Sequence, residues 1–285
     1  MKWLKPGRLL RWVYRQIYAH KDNAGKEEFY FKTWGFIRRY VASSTFRWRQ
    51  RSKNSRKAFF EALRTYDPTC RDFIMEDLWL RNFWDDLWHP YGPLSRVLDR
   101  DFFAENTEIK DRMFFDKARQ EGRGVIIVSA HFCFTSMIFR WVNEVEQIGS
   151  KLIVRLPEKN AKSTSTVNYA RELREASELL KDSGVSVLIA DAYQGKNGVE
   201  KKFMGKIRPF YRGAWELAHL TGAVVIPAWI KMDMDAKYII QFFPPFSQPA
   251  PSLKTHKVVE HYLDQYIPCW KSSCSGRLTA IKSHI

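Results

Sequence analysis

The chain has 285 residues, of which 45% are hydrophobic and 15% aromatic, and its 47 Lys and Arg against 31 Asp and Glu give a formal net charge of +16. That length allows one large α/β domain, or a domain with a helical extension, and the apolar content suffices for a substantial core. Mean hydropathy is −0.42 and no uninterrupted apolar run reaches about 18 residues, which speaks against a transmembrane helix.

The opening stretch MKWLKPGRLLRWVYRQIYAH breaks its apolar residues with Lys or Arg every few positions, unlike a secretory signal peptide. Cys70, Cys133, Cys269 and Cys274 form no CxxC pair and have no His at zinc-finger spacing. Four reduced thiols in a cytoplasmic protein, with no metal site, are therefore expected. The charge is unevenly spread. Residues 1–60 hold 16 Lys and Arg against Asp22, Glu27 and Glu28, a local +13. Such a segment meets something anionic: a membrane surface, an acidic protein or nucleic acid.

In chain order, Leu4, Leu9, Leu10, Trp12, Val13 and Ile17 interleave with Lys5, Arg8, Arg11 and Arg15, the spacing of a basic amphipathic helix. Such a helix suits a membrane interface or packing on the protein's own core with its charges in water. Residues 27–50 mix aromatics with arginines, a pattern that also suits base stacking on single-stranded nucleic acid. No RNP, KH, zinc-finger or helix-turn-helix pattern supports that alternative, and nucleic acid is not expected as a partner. Residues 56–66 and 69–88 read as helices, the second with a broad apolar stripe ending at His89-Pro90. Residues 1–90 are thus expected to form a basic, aromatic-rich helical segment, and 91–285 an α/β domain. Residues 91–121 read as a connection plus a helix about Met113–Arg119.

From Gly122 the pattern alternates. Strands are expected at 124–129, 151–155, 185–190, 223–230 and 237–243, with helices at 134–147, 163–182 and 211–221. The order β-α-β-α-β predicts a mostly parallel central sheet flanked by helices. A Pro-rich loop at 244–252, a short helix at 253–266 and a basic tail close the chain.

No P-loop, GxGxxG, GxSxG elbow or HExxH is present, so nucleotide, hydrolase-elbow and standard metal readings lack support. What remains is a series. His131 follows the first strand of the alternation, Arg155-Leu-Pro157 the second and Asp191 the third, and then comes GVEKKFMGKIRPFYRGAWELAHLTGAVVIP. In open α/β sheets chemistry gathers just past the carboxyl ends of strands.

In order and spacing these segments resemble the lysophospholipid acyltransferase superfamily, and within it the lauroyl/myristoyl acyltransferases of lipid A synthesis and the related phosphatidylinositol mannoside acyltransferases. The likeness runs from Gly122 to about Phe243 and more loosely to Trp270. It rests on GRGVIIVSAHF, the turn at Arg155-Leu-Pro157, LKDSGVSVLIADA, Phe203-Met-Gly205 in place of Phe-Phe-Gly, and GAWELAHLTGAVVIP. It implies transfer of a fatty acyl group from an acyl carrier protein or coenzyme A thioester, as co-substrate, to a hydroxyl or amine, with no bound cofactor.

That reaction needs a base for the attacking group, and an imidazole titrating near neutrality is suited to the task. His131 is the candidate. Donors for the tetrahedral oxyanion would come from the N–H groups of the helix that follows, or from Arg155. Arg208, Arg212 and the helix start at Gly213 are candidates for a phosphate or phosphopantetheine, the alternative being ordinary surface charge.

One departure stands out. The family has an acidic residue five positions after its histidine, and this chain has Ser136. A serine can orient an imidazole but cannot supply charge to the imidazolium. Glu200 is the first candidate for a replacement carboxylate and Asp191 the second. The alternatives are a slower enzyme acting on an easier nucleophile such as an amine, or an inactive relative that binds lipid or carrier protein. A covalent route through Cys133 or Ser136, with His131 as base, is a further option. The expected setting is cytoplasmic, peripheral on the inner membrane surface, with an anionic membrane and an acidic carrier protein as partners of the basic segment.

Overall fold

A computed structural model of the chain describes residues 100–130, 135–153, 164–190, 198–203, 206–232 and 237–282, with scattered positions between Gly25 and Arg64. The chain divides into two compact units, residues 1–107 with 232–237, and residues 108–231 with 238–285.

In the first unit the scattered positions from Gly25 to Arg64 are helical, and most of the basic segment lies outside the described residues. Helix α1 (Arg100–Glu105) buries Phe102 and Phe103, and the Phe31 ring lies 5.7 Å from that of Phe102. The end of α1 is closed by its own sequence. Asn106 Nδ2 donates to the Phe102 carbonyl at 3.0 Å and Thr107 Oγ1 to that of Phe103 at 2.6 Å, occupying acceptors a helix end leaves open.

From Thr107 on, the chain is an α/β sheet structure, nearly all of it in the second unit. Its elements run β1 (Thr107–Lys110), α2 (Met113–Gln120), β2 (Val125–Ser129), α3 (Thr135–Arg140), β3 (Ser150–Ile153), α4 (Thr164–Lys181), β4 (Val185–Ile189), β5 (Val199–Phe203), β6 (Lys206–Phe210), α5 (Gly213–Thr221), β7 (Val224–Met232), β8 (Tyr238–Phe242) and α6 (Thr255–Lys282). The main sheet has the order β1-β8-β7-β2-β4-β3. Strand β2 is parallel to both β4 and β7, and β3 is parallel to β4. The mostly parallel α/β sheet read from the alternation is what the structure has.

The strands form where the sequence is continuously apolar. Every residue of β2 is buried, and β4 is buried at all but its last position. A parallel strand covered on both faces has no solvent side, so it reads as a run of Val and Ile instead of an alternation. Fully burying each such side chain is worth about 1.5–3 kcal/mol. Helix α3 packs on β3 and β4, and α4 on the same pair of strands.

The structure departs from the sequence reading in four places. Residues 100–110 are not a plain connection, because α1 and β1 lie within them. The helix expected at 134–147 is α3 continued by a π-helical turn, Trp141–Val145. Residues 199–210 fold into a two-stranded antiparallel hairpin, β5 and β6, apart from the main sheet. Its strands VEKKF and KIRPF carry too many charges, and a proline, to read as strands. Finally, the helix expected to stop at 266 runs to Lys282 as α6, through Pro268. A proline removes one helical hydrogen bond and tends to end a helix. Here the turns before it are anchored by buried Val258, Val259, Tyr262, Leu263, Tyr266 and Ile267.

Candidate active site

The candidate site is an edge of the main sheet. In the shared register Ser129, the last residue of β2, lies beside Ile189, the last of β4. Ile153, the last of β3, lies beside Leu188. Three adjacent parallel strands thus end within one residue of each other. His131, Arg155 and Asp191 each follow the last residue of one of these strands by two positions. His131, Arg155 and Asp191 themselves lie outside the described residues, as do Cys133 and Gly205.

Ser129, Ala130 and Ala190 are all fully buried. The Ser129 carbonyl is a junction: it accepts the Ala190 N–H at 3.0 Å and the Tyr266 hydroxyl at 3.3 Å. Tyr266 comes from α6 and is itself fully buried. Its ring packs 5.4 Å from that of Trp215 on α5, 6.0 Å from Trp229 on β7 and 6.5 Å from Phe210 at the end of β6. Trp215 also stacks on Tyr262, one helical turn before Tyr266, at 5.7 Å. The Tyr262 hydroxyl donates to Gln248 Oε1 at 2.9 Å, and burial pushes that phenol up to about 12. Sequence reasoning missed this aromatic cluster. Its signal was the pair Tyr262 and Tyr266 at i, i+4 spacing in HYLDQY, which marks one face of a helix.

Ser136 is the second residue of α3, with helical backbone. The same helix ends in Arg140, 6% exposed, whose Nε lies 2.5 Å from Glu144 Oε2. A guanidinium is rarely so buried unless paired.

The remaining predicted residues sit on the hairpin and on α5. Glu200 is exposed on β5, opposite Pro209. Phe203 closes the hairpin opposite Lys206. Arg208 is exposed on β6 opposite Lys201, and the Lys201 ammonium lies 2.7 Å from Asp264 of α6. Arg212, just before α5, turns back on its own helix, with Nε 3.0 Å from Glu216 Oε1 and a terminal nitrogen at 2.8 Å. Gly213 is the first residue of α5. The two arginines therefore differ: Arg208 is open to solvent, whereas Arg212 already holds a carboxylate.

Among the described residues, no cluster of His, Cys, Asp and Glu is arranged to hold a metal ion. Nor is any described helix long and apolar enough to cross a membrane. Cys269 is half-buried on α6, and burial pushes its thiol up to about 12, away from the thiolate that nucleophilic chemistry needs.

No protein-family model matches the chain, and no curated protein matches its sequence. Among solved structures, the chain is similar to a 1-acyl-sn-glycerophosphate acyltransferase of Thermotoga maritima, at 16% identity and a TM-score of 0.36, over 75% of this chain and 87% of that one.

Proposed function

We propose that this protein is an acyltransferase that moves a fatty acyl group from an acyl carrier protein or coenzyme A thioester to a hydroxyl or amine, with His131 as general base. The observation that carries the reading is the in-register ending of β2, β3 and β4, each followed two residues later by a residue of the required chemistry. The motif resemblance from Gly122 to Phe243 supplies the reaction class.

The steps follow from elementary chemistry. The acceptor O–H or N–H gives its proton to the His131 imidazole as its heteroatom attacks the thioester carbonyl carbon. The resulting oxyanion is held by N–H groups at the start of α3 or by Arg155. As the carbonyl re-forms, the C–S bond breaks and the departing sulfur takes the proton back from the imidazolium. No acyl-enzyme is needed, so Cys133 and Ser136 are not assigned as nucleophiles.

A carboxylate is still required to stabilise the imidazolium, because Ser136 carries no charge. Exposure of Glu200 weakens its claim, since a solvated carboxylate acts through a high dielectric. Asp191 gains, because it follows the strand paired in register with the one His131 follows. Arg208 takes precedence over Arg212 for a substrate phosphate, being exposed and, among the described residues, not in an ion pair, whereas Arg212 holds Glu216. Gly213, at the start of α5, is a further candidate for that phosphate. The basic residues 1–60 bring the enzyme to an anionic membrane surface, or to an acidic carrier protein, from the cytoplasmic side.

Ser136 also favours a second reading, an inactive relative that binds lipid or carrier protein. Both are decided by one assay. Purified protein is incubated with acyl-carrier-protein and coenzyme A thioesters and a cell-extract acceptor pool, and release of free thiol and acylated product is followed. Wild-type turnover that collapses in His131→Ala supports the enzyme. Binding of the thioester without turnover, unchanged in His131→Ala, supports the inactive relative. Affinity for DNA or RNA that falls steeply with salt would point instead to a nucleic-acid binder.

A further inference from the structure

We infer that Tyr266 is a positioning residue for the catalytic edge. Its hydroxyl sets the backbone at the junction from which both the His131 and the Asp191 segments depart. The inference rests on the acyltransferase reading and adds to it a residue that no motif of the resemblance contains.

The Ser129 carbonyl is the last backbone acceptor of β2, and two donors meet on it: the N–H of Ala190 at 3.0 Å and the phenol of Tyr266 at 3.3 Å. Ala190 directly precedes Asp191, and Ser129 precedes His131 by two residues. One oxygen thus ties together the exits of two adjacent strands. A carbonyl has two acceptor sites, and here each has a donor from a different element. The tyrosine hydroxyl is the only side chain in that pair.

The phenol is held where it is by packing. Tyr266 is fully buried, and its ring is boxed by Trp215, Trp229 and Phe210 at 5.4–6.5 Å. Large rings in a close-packed interior leave no room for the side chain to swing. Through this box α6 couples β2 to α5, β7 and the β5–β6 hairpin, the elements that carry Arg212, Gly213 and Arg208. Small displacements of a base matter, because proton transfer in the transition state needs heavy atoms within hydrogen-bond reach.

Tyr262 provides an internal control. It lies one turn earlier on the same helix, is equally buried, and its hydroxyl is also hydrogen-bonded, but to Gln248 in the Pro-rich segment. A role common to buried tyrosines of α6 would show in both residues. A positioning role would show in Tyr266 alone.

The test compares Tyr266→Phe, Tyr262→Phe and His131→Ala in the full chain, measuring kcat and KM for an acyl thioester across pH, with thermal melting of each. Tyr266→Phe is expected to lower kcat by about tenfold to a hundredfold, the range for losing a group that orients a catalytic one, with KM for the thioester within about twofold. The acid limb of its pH profile should also move. Tyr262→Phe should keep kcat and the profile while melting lower. Tyr266→4-aminophenylalanine, which restores a donor, should recover most of the rate. If Tyr266→Phe does not fold, 4-fluorophenylalanine fills the hydroxyl's volume without a donor and takes its place. Equal kcat in the Tyr266 variants and wild type, with His131→Ala inactive, overturns the positioning role and leaves the acyltransferase reading standing. Undiminished turnover in His131→Ala overturns that reading and with it the premise of this one.

Discussion

The two edges of the main sheet are built on opposite principles. At the amino edge the turns into β2, β4 and β7 are short, residues 121–124, 182–184 and 222–223, and their polar groups are spent on one another. Arg119 donates to the Ser183 carbonyl, Ser183 Oγ to that of Gly122 at 2.6 Å, and Arg123 to that of Gly222 at 3.1 Å. Gly222 ends α5 in the left-handed region at φ 66°, where glycine carries no steric penalty. At the carboxyl edge more sequence separates the described elements, residues 130–134, 154–163 and 190–198, and it includes His131, Arg155 and Asp191. One edge is closed by its own hydrogen bonds, and the other is where an open α/β sheet is expected to gather its chemistry.

The first edge sets the geometry of the second. An all-apolar strand buried on both faces has no alternation to lock its register. Here the register is set at the entry. Val125 N–H bonds the Gly184 carbonyl at 3.0 Å, and Val224 N–H bonds that of Gly124 at 2.8 Å. Those bonds require close approach: a Cβ on Gly124 would fall inside the Leu180 carbonyl. The tight entry aligns Val125 with Val185, and four residues later the same alignment brings Ser129 beside Ile189.

Substitutions at the two edges should separate activity from stability. The largest effect is expected at the carboxyl edge: His131→Ala should cost about 10²–10⁴ in kcat, the usual range for a general base, with melting within a few degrees of wild type. Turnover and melting curves on one preparation check it. At the amino edge the sign reverses. Gly124→Ala should destabilise the fold by about 1–3 kcal/mol, the cost of overpacking a site that cannot give, read as a lower urea midpoint. Any activity loss there should follow the fraction unfolded.

A smaller effect sharpens the assignment of the carboxylate. Asp191→Asn should lower kcat by about 10–100-fold and Glu200→Gln by less than about twofold. The opposite ranking would return the role to the hairpin. The smallest effect is silent at neutral pH. The Tyr262 phenol titrates near 10 when unfolded and about 12 when folded, so its contribution to stability is whole below pH 10 and is lost as pH rises toward 12. Alkaline unfolding curves should therefore be shallower over that interval in Tyr262→Phe than in wild type.

Much of the fold was legible because its strongest signals are local. The runs GVIIVS, VSVLIA and AVVIPAWI announce buried parallel strands, and Val167, Ala170, Leu173, Ala176 and Leu180 announce α4 by their helical period. The π-helical turn, which buries Trp141 and Val142, was not legible, because WVNEV has the composition of an ordinary helix. The hairpin escaped because its pairing is a relation between two charged stretches that are unremarkable apart.

The candidate site divides in the same way. That His131, Arg155 and Asp191 follow strands could be read from apolar runs ending in polar residues, since a run that must be buried identifies itself. Which strands are neighbours, and that three of them end level, depends on non-local pairing that only the folded sheet contains. Exposure of Glu200 and the seat of the Tyr266 hydroxyl on the Ser129 carbonyl belong to the same class, for the latter joins residues 137 positions apart. Local patterning determined the kinds of elements and the residue types at their ends. Tertiary packing decided which of those ends meet.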